Sequence, residues 1–96
     1  MIRNVVLVKL KAGADAAAVA ELQRGFRNLG CPGTLSYTLG DDLGLRDGTW
    51  SFAIVADFTD VESYRAYDQD PEHNRLRAVL APLAEQIARV QFDLPA

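Results

Sequence analysis

Residues 67 to 73, Tyr-Asp-Gln-Asp-Pro-Glu-His, place a phenol and the single histidine of the chain where one predicted helix ends and another begins. A phenol beside an imidazole in an apolar pocket can act as an acid/base or carbonyl-polarising pair. Asp70 and Pro71 are the residue types preferred at the N-cap and at the first helical position. His73 then lies in the first helical turn, where the positive end of the helix dipole favours a neutral imidazole that can accept a proton.

The spacing around His73 predicts that its side chain points inward. Five residues follow one another at helical intervals of three, four, three and four: His73, Leu76, Leu80, Leu83 and Ile87. This pattern predicts one helix that packs on a sheet through a single apolar stripe. Tyr67 lies on the apolar side of the preceding helix with Tyr64, and the turn between the helices can bring its ring close to His73. A buried structural pair of side chains has the same spacing, so both interpretations remain open.

A third polar group is expected at the same place. Asn4 lies on the more apolar face of the first predicted strand, the face that we expect the helices to cover. We therefore predict that Asn4 lines a cavity with the catalytic candidates His73 and Tyr67. The substrate-binding walls are assigned to Asn4 and to four less polar side chains: Val6, Phe26, Tyr64 and Leu76.

Composition and charge exclude several classes of function. The chain has 96 residues, a formal net charge of -3 and no basic run, so nucleic-acid binding is not indicated. One histidine without paired cysteines cannot form a transition-metal site, and Asp41, Asp42 and Asp47 are typical solvated turn residues. Cys31 precedes Pro32 near a helix end, where nothing lowers a thiol pKa, and we predict a structural role for it. No apolar run approaches the ~20 residues of a membrane span, and no secretory signal is evident. We expect a single cytoplasmic domain, residues 1–96, that binds no metal.

The order of the predicted elements indicates the fold class. Strands are predicted at 2–11, 34–39, 50–58 and 88–94, with helices at 15–29, after a capping box formed by Thr59 and Glu62, and from Asp70 onward. In the second strand, Leu35, Tyr37 and Leu39 are predicted to share one side. The order strand, helix, strand, strand, helices, strand matches a ferredoxin-like α+β fold, with a four-stranded antiparallel sheet and helices on one face.

The opposite face of the predicted sheet carries apolar side chains that no helix covers. They are Val5, Leu7, Ala53 and Val55, among Ser, Thr, Arg and Gln. A second copy of the sheet would cover this face, so we predict a homodimer in which two sheets pack into an α+β barrel. The alternative is a monomer with scattered surface valines.

Several segments resemble the stress-responsive A/B barrel domain, or Dabb, family. They are residues 4–11 (Asn-Val-Val-Leu-Val-Lys-Leu-Lys), Phe58 with Val61 and Glu62, Tyr67, the run Asp70-Pro71-Glu72-His73, and Phe92 with Asp93. The resemblance covers nearly the whole chain. The tyrosine followed six residues later by the histidine of a Pro-x-His element is its more specific part, while the strand patterns occur throughout the dimeric α+β barrel superfamily.

The resemblance implies a chemistry for His73 and Tyr67. A plant polyketide cyclase of this family closes a linear tetraketide thioester by an aldol step, and its catalytic histidine and tyrosine match these two residues. His73 would then be the general base, and Tyr67 would polarise the carbonyl under attack, without a cofactor. The family usually has a histidine at the position of Asn4. Asparagine can hydrogen-bond a ligand but cannot shuttle a proton at neutral pH.

Three hypotheses follow from the sequence. The first is a homodimer that binds a small apolar carbonyl compound and cyclises or rearranges it as a cofactor-independent lyase or cyclase. The second is a non-enzymatic stress or interaction protein whose pocket is filled by its own side chains. The third, which depends on fold analogy, is a cofactor-free monooxygenase.

Overall fold

The chain is described for residues 1–95 by a computed structural model, and within them it forms four strands and three α-helices. The elements are β1 (Ile2–Leu10), α1 (Ala16–Arg27), β2 (Thr34–Asp41), β3 (Phe52–Phe58), α2 (Val61–Gln69), α3 (Pro71–Leu80) and β4 (Ala84–Asp93). A 3-10 turn, Ala81–Leu83, joins α3 to β4. The strands are antiparallel and follow the order β2, β3, β1, β4 across the sheet. This arrangement confirms the predicted ferredoxin-like α+β fold class.

The helices cover one face of this sheet because each strand presents its bulkier side chains there. Val8, Phe52 and Ile54 from the sheet pack with Leu22, Phe26 and Leu76 from the helices. A second, smaller cluster contains Ala56, Phe58 and Tyr67. The predicted alternation of β1 and β3 is therefore correct, with Asn4 on the helix-covered face and buried.

Two helices end earlier than the sequence patterns predict. The helix predicted to reach residue 29 ends at Arg27, where the Asn28 backbone N–H donates to the carbonyl oxygen of Arg24 at 3.1 Å. The stripe predicted from His73 to Ile87 is not one helix, because α3 ends at Leu80. Pro82 lacks the backbone N–H that a continuing helix needs, and the chain turns there into β4.

The helix caps follow the prediction only in part. The predicted capping box of Thr59 and Glu62 is wrong, since the Asp60 carboxylate caps α2 and accepts from the Ser63 N–H at 2.8 Å. Asp15 occupies the N-cap of α1 without a side-chain hydrogen bond. The cap of α3 is the predicted one, because the Asp70 carboxylate accepts from the His73 N–H at 2.9 Å.

The strands also differ from the predicted ones. The β2–β3 register shifts between Thr34 and Ser36, so Leu35 is 53% exposed and does not join Tyr37 and Leu39 in the core. Regular pairing of β3 begins at Phe52, which leaves Trp50 in the preceding loop. β4 begins at residue 84, four residues before the predicted start at 88.

The sheet face away from the helices is apolar and open. In the register of the central strand, Val5 lies between Val55 and Val90, and Leu7 lies between Ala53 and Ala88. Val90 is 54% exposed, and Leu7 and Phe92 are exposed as well. The predicted uncovered face is thus present, and β4 widens it.

One ion pair lies at the end of this open face. Arg3 Nε and Nη2 donate to the two carboxylate oxygens of Asp57 at 2.8 and 2.9 Å, and the Ser36 hydroxyl donates to the same carboxylate at 3.2 Å. The hydrogen bonds from Arg3 lower the pKa of Asp57. The open face therefore carries paired charges beside its valines.

Among residues 1–95, no helix is both long enough and apolar enough to cross a membrane.

Gly33 fixes the contact between the start of β2 and the start of α2. Its φ is +84°, and a Cβ at this position would collide with the Ser63 hydroxyl. We expect Gly33→Ala to lower the free energy of unfolding by about 1–3 kcal/mol, measured by urea denaturation, because strain and overlap add. Gly30→Ala is the matched control, since a Cβ there meets nothing within 4 Å. Equal stabilities of the two variants would contradict this account.

Candidate active site

His73 is held in the first turn of α3 with its ring buried. Its backbone N–H donates to the Asp70 cap, and the residue is 6% exposed. The imidazole lies over the Tyr67 ring, with the ring centroids 4.0 Å apart and the planes inclined by 33°. The Phe26 ring meets it edge-on at 6.0 Å. The structure thus brings His73 and Tyr67 into contact, as the sequence predicts.

The imidazole of His73 is held in its neutral form. Burial lowers its pKa below the usual value, and the Arg77 guanidinium acts in the same direction. Asp68, through its carboxylate and backbone, and Asp70 oppose this shift. Its Nδ1 is fully buried and has no hydrogen-bond partner among residues 1–95. A buried nitrogen without a partner costs free energy, so this atom is a candidate for contact with a ligand.

Tyr67 shares a hydrogen bond with a residue that the sequence analysis did not include in the site. The hydroxyls of Tyr67 and Tyr37 lie 3.0 Å apart. Burial raises the pKa of Tyr37 to about 12 and raises that of Tyr67 further, so both stay protonated at neutral pH. The period-two pattern of β2 predicted that Tyr37 shares one side of the strand with Leu39, but nothing in the sequence indicated its partner.

Asn4 is fixed by a second residue that the sequence analysis missed. Gln91 lies opposite Asn4 in the β1–β4 register, and its Nε2 donates to Asn4 Oδ1 at 2.8 Å. The Asn4 carbonyl is therefore occupied, and its Nδ2 hydrogens remain to donate to a ligand. Gln91 is on the helix-facing side of β4, whose predicted apolar residues face the other way.

A small cavity joins most of the predicted site residues. Its volume is about 30 Å³, roughly that of one water molecule. Six of the seven predicted residues line it: Asn4, Val6, Phe26, Tyr64, Tyr67 and His73. Leu76 does not line it, because its side chain packs against the backbone of α1 at Gly25. The cavity also has charged walls that the sequence analysis did not assign, formed by Asp68, Arg77 and Arg89.

Comparison with known proteins identifies the family. Residues 2–95 match the Stress responsive A/B Barrel Domain, Dabb. The chain belongs to the Dabb family. No curated protein matches the sequence significantly.

Solved structures share this Dabb fold. A dimeric ferredoxin-like protein of unknown function from Thermobifida fusca is 32% identical, with a TM-score of 0.90, over 97% of this chain and 90% of that chain. A Dabb family protein from Mesorhizobium loti is 16% identical, with a TM-score of 0.75, over 99% and 97% of the two chains. The hydroxynitrile lyase from Passiflora edulis is 18% identical, with a TM-score of 0.85, over 98% and 93%. The first of these supports the family assignment, and the other two show a common fold.

The remaining reactive groups of this Dabb domain lie outside the candidate site or in ordinary surroundings. Within residues 1–95, no three His, Cys, Asp or Glu side chains are grouped so that they could hold a metal ion. Cys31 packs beside the cluster of Phe58 and Tyr67, and burial raises its thiol pKa, as does nearby Asp70. A protonated thiol is a weak nucleophile, which agrees with the predicted structural role.

The single histidine allows a direct test of its protonation in this Dabb protein. We expect the Hε1 resonance of His73 to titrate below the usual histidine pKa of ~6.5 in proton NMR spectra. Between pH ~6.5 and the lower folded pKa, the unfolded state binds a proton that the folded state does not, so the free energy of unfolding falls as the pH falls. In His73→Gln this contribution disappears, and its stability changes less over the same interval. A folded-state pKa at or above 6.5 would contradict the burial of a neutral ring.

Proposed function

We propose that this Dabb protein binds a small carbonyl compound beside His73 and cyclises, rearranges or cleaves it without a cofactor. The observation that carries the proposal is the buried Nδ1 of a neutral imidazole, without a partner in residues 1–95, on a residue that lines the cavity. Such a nitrogen is suited to accept a proton from a ligand. The alternative of a purely structural histidine leaves this nitrogen without a role.

In the proposed mechanism, each polar side chain that lines the cavity has one role. His73 Nδ1 removes an acidic proton from a carbon between two carbonyls, while the ring proton stays on Nε2. The Asn4 amide donates to the oxygen that becomes the enolate. The enolate carbon attacks a second carbonyl, a C–C bond forms, and the imidazolium returns its proton to the new alkoxide.

Tyr67 takes part in this mechanism through its bond to Tyr37. When the Tyr37 hydroxyl donates to Tyr67, the proton of Tyr67 is free to bind the carbonyl under attack. Its raised pKa keeps it a donor at neutral pH. The hydroxynitrile lyase with the same fold supports a lyase-type function as an analogy of fold alone.

A second candidate function is a non-enzymatic interaction protein with a filled pocket. The cavity volume of about 30 Å³ favours it, because ligand pockets usually measure about 300–1,000 Å³. The enzymatic proposal requires this space to widen when the reacting carbonyl groups enter. Conversion of a substrate by the wild-type protein would distinguish the enzyme from the non-enzymatic interaction protein.

The test of the enzymatic function is His73→Gln, which keeps a polar side chain and removes the base. We expect cyclisation of a linear tri- or tetraketide N-acetylcysteamine thioester, followed by mass spectrometry, to slow by about 10²–10⁴-fold. Thermal melting of the variant serves as the folding control. A wild-type protein that neither binds nor converts these thioesters would favour the non-enzymatic function.

We further propose that the chain works as a homodimer of single-domain subunits joined through their open sheet faces. The apolar strip along β1, β3 and β4 supports this assembly, since two such faces can pack as a sandwich. Two leucines in the β2–β3 loop, Leu43 and Leu45, extend the exposed apolar surface beside Leu7 and Ala53. The related Thermobifida fusca protein is described as dimeric.

Charge placed in the middle of the open face tests this assembly. We expect Val90→Glu to shift the protein from dimer to monomer in size-exclusion chromatography with light scattering, because the carboxylate would be buried against the second sheet. Val79→Glu is the matched control, since Val79 is 40% exposed on the opposite, helical layer. A dimer that survives Val90→Glu, or a wild-type monomer, would contradict the sheet-to-sheet assembly.

A further inference from the structure

A larger groove between α3 and β4 borders the cavity at His73. The groove has a volume of about 300 Å³, at the lower end of the range of ligand sites. Four residues line both spaces: Arg77, Leu80, Ile87 and Arg89. A ligand that spans these shared walls would place one small group in the cavity and its remainder against α3 and β4.

Two guanidinium groups, those of Arg77 and Arg89, line both the cavity and the groove. Arg77 Nη1 donates to the carboxylate of Asp68 at 3.1 Å and to the side-chain oxygen of Asn74 at 3.2 Å. Arg89 has no side-chain hydrogen bond or ion pair within the described part of the chain, residues 1–95. The walls shared by the cavity and the groove therefore carry the positive charges of Arg77 and Arg89, with the negative charge of Asp68 beside them. Asp68 pairs with Arg77, so Arg89 is the positive charge without a partner in residues 1–95.

The strand register puts Arg89 on the side of the site. Arg89 lies opposite Val6, on the helix-facing side of β4, although the apolar residues Val90 and Phe92 of this strand face the open side. Burial raises the pKa of Tyr64 and Asp68 adds to the rise, whereas Arg77 and Arg89 both oppose it. Both guanidinium groups therefore act on the same wall of the cavity. In a chain of net charge -3, this is a local positive site.

We propose that the ligand is an oxo-carboxylate whose carboxylate binds Arg89 and Arg77 in the groove while its ketone enters the cavity beside His73 and Asn4. This inference rests on the proposed carbonyl chemistry at His73 and specifies the class of compound. Arg89 is then a specificity-determining residue, because a guanidinium recognises a carboxylate through paired hydrogen bonds. The apolar walls Leu80 and Ile87 accommodate the carbon chain between the two groups.

The experiment compares one acid with its neutral ester. The probes are 4-oxopentanoate and its methyl ester, and occupancy is followed by the shift of the single histidine Hε1 resonance. We expect the wild-type protein to bind the acid at least about tenfold more tightly than the ester, with a preference that weakens as salt is added. In Arg89→Met, the preference for the acid should fall severalfold, because only Arg77, which is already paired with Asp68, remains to bind the carboxylate.

The control is Arg65→Met, which removes the same charge from the exposed side of α2, outside the cavity and the groove, and should keep the preference for the acid. Equal binding of acid and ester to the wild type, or an equal loss of both in Arg89→Met, would overturn the role of Arg89. If neither probe shifts the resonance, the oxo-carboxylate class is wrong. Thioester turnover that depends on His73 would then still stand, which separates this failure from that of the proposed function.

Discussion

The pairing register of β1 is the constraint on which the candidate site depends. β1 bonds to both β3 and β4, and its register places Gln91 opposite Asn4 and Arg89 opposite Val6. A slip of one residue would turn Val90 toward the helices and move both polar side chains to the open face. The same register therefore forms the polar wall of the cavity and the apolar surface on the other side of the sheet.

The buried polar groups of the site are not equally satisfied. Asn4 is held by Gln91, and Tyr67 is held by Tyr37, so these pairs have fixed geometry. His73 is positioned by its backbone cap and by stacking on Tyr67, neither of which occupies its Nδ1. The result, within residues 1–95, is a buried ring nitrogen without a hydrogen bond beside two hydrogen-bonded pairs. This difference distinguishes the arrangement from an ordinary buried cluster, in which polar atoms are usually paired.

Local features of the site could be predicted from the sequence, and long-range ones could not. The Asp70 cap and the inward direction of His73 depend on residue types and spacing within one turn, and both predictions agree with the structure. The pairs formed by Tyr37 and Gln91 join residues 30 and 87 positions apart, and strand register, which one sequence does not determine, sets them. The helical stripe through Ile87 was misleading because a strand residue happened to continue its spacing.

The burial of Tyr37 and Tyr67 has a consequence for the charge of the pocket. Burial keeps both phenols protonated, Tyr37 up to a pKa of about 12 and Tyr67 beyond it, and His73 is already uncharged at neutral pH. From neutrality to strongly alkaline solution, these three aromatic groups keep the same charge. A molecule in the cavity therefore contacts His73 and Tyr67 in uncharged form from neutral to strongly alkaline solution, and only acidification changes this.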